Sequence, residues 1–369
     1  MNETQKSLIY LLRCAVNGIT PDKARVQAMD MEKLYKLAKK HSVQSAVCIA
    51  LERAGVEDSQ FNQAYNKSVR KNIYLDIELK SIAADFERQG IWYMPLKGSV
   101  LKEIYPEVGM RQMADNDILV DKEKRSQVRE IMEAHGYTAV YIVSESNHDV
   151  YEKPPVLSFE MHTALFSAVH STFSRYYSDV KRRLIKDEDS GFAFHFSDED
   201  FYVYMTAHEW KHYKSIGTGI RSLMDCYVYV VNKGDTLDWE YITKQTEQLG
   251  ISDFEQKRRK LSFSIFSDGE LPELSDDEMD MLMFYLTSGA YGTLENGVKT
   301  KLQKQNKFSF WLHSIFLSRR EMALAVPFTA KSPLLYPIGV IWRCFRTLIF
   351  GRYKIRRTIG AVKKYDKKI

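Results

Sequence analysis

Residues 96–121 read LKGSVLKEIYPEVGMRQMADNDILVD, and within them the chain leaves the helical period of everything before. The apolar run IWYMPL (91–96) leads into a Lys97-Gly98-Ser99 turn, a short helical stretch VLKEIYP follows, and NDILV from Asn116 alternates as a strand. Asp115 and Asp117 stand two apart at the entrance of that strand, so their side chains leave the same face. Two carboxylates on one face repel unless a hard cation neutralises them. Carboxylate oxygens suit Mg²⁺, or Mn²⁺ in its place, with water and phosphate oxygens as the remaining ligands. An Asp-x-Asp pair alone is also ordinary turn chemistry, because aspartates cap backbone N–H groups, so the surrounding residues decide.

Those residues point to a nucleotide. At Lys97-Gly98-Ser99 the glycine admits close approach of a ligand, and the helix that follows offers N–H groups to phosphate. Arg111 supplies a guanidinium suited to phosphate oxygens, although a lone arginine is more often structural. In VLSFEMH (156–162) Glu160 and His162 share a strand face, and Glu160 is the natural third carboxylate, to bind metal or to accept a proton from an attacking hydroxyl. Its plain alternative is an edge-strand glutamate facing water.

The ordered set Leu96-Lys97-Gly98, Tyr105, Arg111, Asp115-x-Asp117-x-Leu119-Val120 and Glu160-x-His162 resembles the uncharacterised nucleotidyltransferase family of the polymerase-beta-like superfamily. The resemblance extends into AHEWKHYKSIGTGIRSLMDCYVYV, where His208, Lys211, His212, Arg221 and Asp225 follow the family's H-x-x-K-H and downstream aspartate. It implies an α+β fold, a small mixed sheet with helices, and Mg²⁺-dependent transfer of a nucleoside monophosphate from an NTP such as ATP. Carried over by position, Asp115, Asp117 and Glu160 are the metal carboxylates and Gly98 and Ser99 the phosphate turn. Lys211 and a histidine contact triphosphate or acceptor, and Asp225 holds a basic side chain such as Arg221. Asn116 departs from the apolar residue usual between the aspartates and needs a hydrogen-bond partner on the buried face.

His208, Lys211 and His212 have i, i+3, i+4 spacing and line one helix face, whose plainest use is packing on the sheet domain. With Glu209 the run also spells H-E-x-x-H, the zinc-hydrolase pattern of two histidine ligands and a glutamate base. A zinc hydrolase is therefore an alternative reading, as is a binding module of the same fold that has lost its chemistry.

The rest of the chain frames this core. With 44% apolar and 27% charged residues and only 9 Pro, 369 residues describe a globular protein, not a repeat or disordered one. The division expected is a helical region 1–90, the nucleotidyltransferase core 91–196, a helical region 197–300 packed on it and a helical basic region 301–369. A helix from Ser59 stops at Gly90, a second spans Lys122 to His135, and strands lie near 138–143 and 156–162. The N-terminus reads as a first helix and not an export signal, and the scattered Cys14, Cys48, Cys226 and Cys344 suggest neither zinc nor disulfides, which fits a reducing cytoplasm. Residues 341–369 hold ten Lys or Arg against Asp366, so this +9 tail sits on a remainder of −4 and could attract nucleic acid or anionic lipid, or simply be solvated. Within it Arg343 and Arg346 break the apolar run from Ile338 before the roughly 18–20 residues a membrane span needs, so packing on the protein body is expected, with an interfacial helix and peripheral membrane contact as the alternative.

Overall fold

The structure, a computed structural model, describes residues 1–143, 146–269, 271–302, 306–350 and 352–366. Five helices precede the sheet, and their starts are written locally: Asn2 and Gln5 form a capping box, and Asp22, Asp30 and Asp58 each accept a hydrogen bond from the first turn they precede. The longest, Ser59–Gln89, ends where Gly90 takes a left-handed φ of 67°. Strand β1 (Tyr93–Pro95) follows, then β2 (Asn116–Val120), β3 (Thr138–Tyr141), β4 (His148–Lys153) and β5 (Leu157–His162). Their spatial order is β1-β2-β5-β4-β3, with β2 and β5 parallel and the other pairs antiparallel. The fold is α+β as expected.

Alternation assigns the two faces of this sheet. Ile118, Val120, Phe159 and Met161 pack with Leu75, Ile82 and Phe86 of the long helix. Met94 and Leu119 point the other way, into a cluster with Phe166, Tyr204 and Met205 that includes the helix Asp198–Tyr213. Each such aromatic or branched side chain, once buried, contributes ~1.5–3 kcal/mol, so the sheet is held between two helical layers.

The sequence did not reveal β4, because HDVYEK looks like a solvated segment. Its Asp149 is nonetheless buried, held by both nitrogens of the Arg125 fork, and its Tyr151 is fully buried. A short separate pair, β6 (Leu184–Lys186) and β7 (Phe194–Phe196), was likewise not anticipated. The expected helix from Lys122 begins as a 3₁₀ turn and becomes α-helical only over Arg125–Ala134. In the largest core cluster, Leu8, Leu12 and Val47 of the first region mix with Ile220, Leu261 and Leu282 of the third. The helices on either side of the sheet in sequence thus share one core.

His41 lies in that seam. Its Nδ1 accepts from the Ile220 N–H at 3.3 Å and its Nε2–H donates to the Leu286 carbonyl at 3.1 Å, an arrangement only the neutral ring can make. Burial, and then the charge of Lys40, pulls its pKa from 6.5 down to about 4. As pH falls below 6.5 the unfolded chain takes up a proton that the folded chain refuses until about 4, so this share of stability is complete above 6.5 and disappears through that window. Urea denaturation at pH 7.5 and 4.5 should therefore show wild type losing roughly 2–3 kcal/mol more than a His41→Gln variant. Equal losses would mean that His41 does not titrate with folding.

Candidate active site

The carboxylates meet across the parallel pair. Asp117 of β2 is register partner to Glu160 of β5, and Leu119 to His162, so Asp117, Glu160 and His162 project from the face opposite the long helix. The His162 Nε2 lies 3.1 Å from Asp117 Oδ1 and 3.4 Å from Glu160 Oε2, and His148 from β4 adds its Nε2 3.9 Å from Glu160. Ligand atoms of Asp117, Glu160 and His162 fall within 4.8 Å of one another, the one such group of three among the described residues. Asp115 enters by charge: burial, then Asp117 and Glu160, raise its pKa to about 6.

Asn116, the departure noted in the sequence, has the partners it requires. Fully buried on the opposite face, it donates from Nδ2 to the Leu75 carbonyl at 3.1 Å and accepts from Ser99 Oγ at 3.0 Å. It thereby fastens both the long helix and the Lys97-Gly98-Ser99 turn to the strand carrying the aspartates.

That turn differs from the expected phosphate cradle. The Ser99 hydroxyl is committed to Asn116, and a side chain at Gly98 would meet Met113 Cε at 2.6 Å and Arg111 Nη1 at 3.0 Å, so the glycine is needed for packing. The member that reaches the carboxylates is Lys97. Its backbone takes φ 31° and ψ −91°, a costly conformation for a residue with a side chain, and its Nζ sits 3.1 Å from Asp117 Oδ2 and donates to His208 Nε2 at 3.0 Å. Burial would raise the Asp117 carboxyl, but the Lys97 ammonium and His162 hold it well below the usual carboxylate range. Burial would lower Lys97, but the charges of Asp117, Tyr204 and Asp115 and the hydrogen bond to Asp117 together raise it.

Arg111 also corrects its expectation. Its Nε and Nη2 donate to Asp225 Oδ1 and Oδ2 at 2.8 and 3.0 Å, and Tyr105 donates to the same Oδ1 at 2.6 Å. All three are buried, so this guanidinium anchors the loop leading to Asp115 and is not presented to phosphate. Asp225 holds Arg111 in place of Arg221, which donates to the Gln112 carbonyl at 3.1 Å.

Helix Asp198–Tyr213 delivers its i, i+3, i+4 face to the site as its spacing implied. His208 Nε2 lies 3.3 Å from both Lys211 Nζ and His212 Nε2. Burial, then Lys211 and Lys97, pushes His208 far below its ordinary pKa and His212 to about 3, leaving both neutral. Burial and the charge of Lys97 lower Lys211 to about 8. Lys97 and Lys211 with these neutral imidazoles thus face the carboxylate group.

The zinc-hydrolase reading fails on Glu209. Its carboxylate turns to the other side of the helix, where Oε2 accepts from Arg258 Nη1 at 2.9 Å and Oε1 from Tyr285 at 2.5 Å, all three buried. A glutamate neutralised there cannot serve as base beside His208, whose Nε2 meets the Lys97 and Lys211 ammonium groups, and His212, which lies against His208. A cavity of about 1130 Å³ lined by Trp210, Tyr213, Phe254 and Phe284 includes none of the motif residues, so cavity size does not mark the chemistry here.

Spacing puts His162 on the face of Glu160 without indicating a role, and His148 carries no sequence signal because β4 itself carries none. Aspartates at a strand entrance, a glutamate on the parallel neighbour and lysines opposite define a nucleotidyltransferase-like site. The chain belongs to the uncharacterised nucleotidyltransferase family, whose model matches residues 27–267 and so includes every motif residue above. Among solved structures it is similar to an antigenic nucleotidyltransferase-like protein from Paracoccidioides brasiliensis, at 14% identity and a TM-score of 0.36 over 52% of this chain and 91% of that one. No curated protein matches the chain.

Proposed function

We infer that the protein transfers a nucleoside monophosphate from an NTP to a hydroxyl or phosphate acceptor, using a divalent cation, Mg²⁺ or Mn²⁺, held by Asp115, Asp117 and Glu160. The observation that carries this reading is the register pairing of Asp117 with Glu160 beside Asp115 and His162, on a face met by Lys97 and Lys211. The donor set fits a hard cation: crowded carboxylates with one adjacent imidazole, and a carboxyl whose proton affinity is raised by burial and then by its neighbours' charge. A bound cation would supply charge neutralisation at the α-phosphate and lower the barrier to deprotonating the acceptor.

The remaining roles fall to the chain's own residues. Lys97 now neutralises Asp117, and with that charge compensated its ammonium becomes available to the triphosphate. Lys211, with a lowered pKa of about 8, and the neutral His208 and His212 offer donors to the β- and γ-phosphates or to the acceptor. The acceptor oxygen forms its bond to the α-phosphorus as the bond to the bridging oxygen breaks and pyrophosphate leaves. Glu160 either helps hold the cation beside the attacking hydroxyl or accepts that hydroxyl's proton. The motif Tyr105-Arg111-Asp225 serves position, and the free cysteines fit a reducing, cytoplasmic site of action.

The test is pyrophosphate release from each of the four NTPs with Mg²⁺ or Mn²⁺, set against an Asp115→Asn, Asp117→Asn double variant. Release confined to wild type is expected. Undiminished release from the variant would overturn the assignment, and NTP binding without turnover under all conditions would favour the inactive binding module.

A further inference from the structure

The segment from Ile338 is expected to pack on the protein body, and helix Tyr336–Phe350 does so by its small side, which leaves its large apolar side chains outward. Gly339 and Val340 face the body, where a side chain at Gly339 would collide with Thr329 Cγ2 and Val340 packs with Met322 and Val326. Arg343, on the same side, donates to the Ile315 carbonyl at 3.1 Å. Outward point Ile338, Ile341, Trp342, Phe345, Leu348 and Ile349, with Ile341 70% and Leu348 61% exposed. Their spacing of three and four residues makes one continuous stripe. A stripe of this size, turned to water by packing of the small side, marks an interaction surface.

Charge selects the occupant. Residues 322–365 contain nine Lys or Arg and no Asp or Glu; Arg346, which also donates to the Ala325 carbonyl, and Arg356 of the following helix are exposed. A second copy would set nine cations against nine. A nucleic acid offers phosphate but no place for six large apolar side chains. An anionic bilayer offers both, with lipid phosphate above and acyl chains beneath. No described helix is long and apolar enough to cross a membrane, which leaves an orientation along its surface.

We propose that helix Tyr336–Phe350 is a peripheral membrane-docking surface, with its Ile338–Ile349 stripe among the acyl-chain ends and its flanking arginines on anionic headgroups. The proposal is independent of the nucleotidyltransferase reading. The full chain is sedimented with vesicles of phosphatidylcholine alone and of phosphatidylcholine with added phosphatidylglycerol, at low and high salt. Partitioning onto the anionic vesicles should exceed that onto neutral ones at least ~tenfold and fall with salt. An Ile341→Glu, Phe345→Glu variant should lose at least ~tenfold of it while keeping the wild-type circular dichroism and melting temperature, since both side chains face solvent. Lipids brominated on the acyl chain should quench tryptophan fluorescence in wild type and much less in Trp342→Phe. Equal partitioning onto neutral and anionic vesicles would overturn the proposal. So would unchanged binding by the glutamate variant, or a protein dimer that this variant abolishes in the absence of any vesicle binding.

Discussion

Replacing Asp117 by Asn should lower pyrophosphate release at least ~10³-fold, because the substitution keeps the shape and removes the charge nearest the centre of the site. Asp117 is in contact with both Lys97 Nζ and His162 Nε2, each at 3.1 Å, so its neutralisation disturbs three groups together. Cation affinity, followed by the electron paramagnetic resonance of Mn²⁺, should weaken at least ~tenfold. Stability should change less, by no more than ~2 kcal/mol, since two opposed effects meet there. Lys97 loses its counter-charge, but Asp115, whose pKa the charges of Asp117 and Glu160 help raise, gains relief from repulsion. A variant that kept both Mn²⁺ affinity and release would show that the cation sits elsewhere.

The second large effect is on the fold. Asp225→Asn should cost ~3–5 kcal/mol, because it leaves the Arg111 guanidinium buried without its charge partner and weakens the hydrogen bond from Tyr105. Domains are stable by only ~5–15 kcal/mol, so urea denaturation should register the loss as a large shift of midpoint. The ion pair itself need not be strongly favourable. Removing both partners in an Arg111→Leu, Asp225→Leu variant should cost clearly less than the sum of Arg111→Leu and Asp225→Leu, because the uncompensated buried charge is then gone. Additive losses would show that the two residues act separately. The loop they hold runs to Asp115, so any Asp225→Asn protein that folds should also bind Mn²⁺ more weakly.

The Arg111 pair shows how far a sequence can be read. Its two members lie 114 positions apart, and nothing in the composition of either neighbourhood selects the other. Arg221, four residues before Asp225 on the same helix, is the natural local partner, yet its guanidinium reaches the Gln112 carbonyl. β4 was illegible for a related reason: Asp149 can be buried only because Arg125, from another element, arrives to neutralise it.

What the sequence determined by itself is local and periodic. Alternation put Asp117 on one strand face, with Asp115 just before that strand, and Glu160 with His162 on another, helical spacing aligned His208, Lys211 and His212, and Gly90 ended the long helix with its left-handed φ. These follow from backbone geometry, which repeats whatever surrounds it. Only the tertiary structure decided what each face meets. It set Asp117 opposite Glu160, brought Lys97 into the carboxylate group, turned Glu209 toward Arg258 and Tyr285, and left the apolar stripe of Tyr336–Phe350 facing outward. Period names the residues that share a face; the choice of partner depends on contacts between segments far apart in the chain, where burial and charge must be satisfied together.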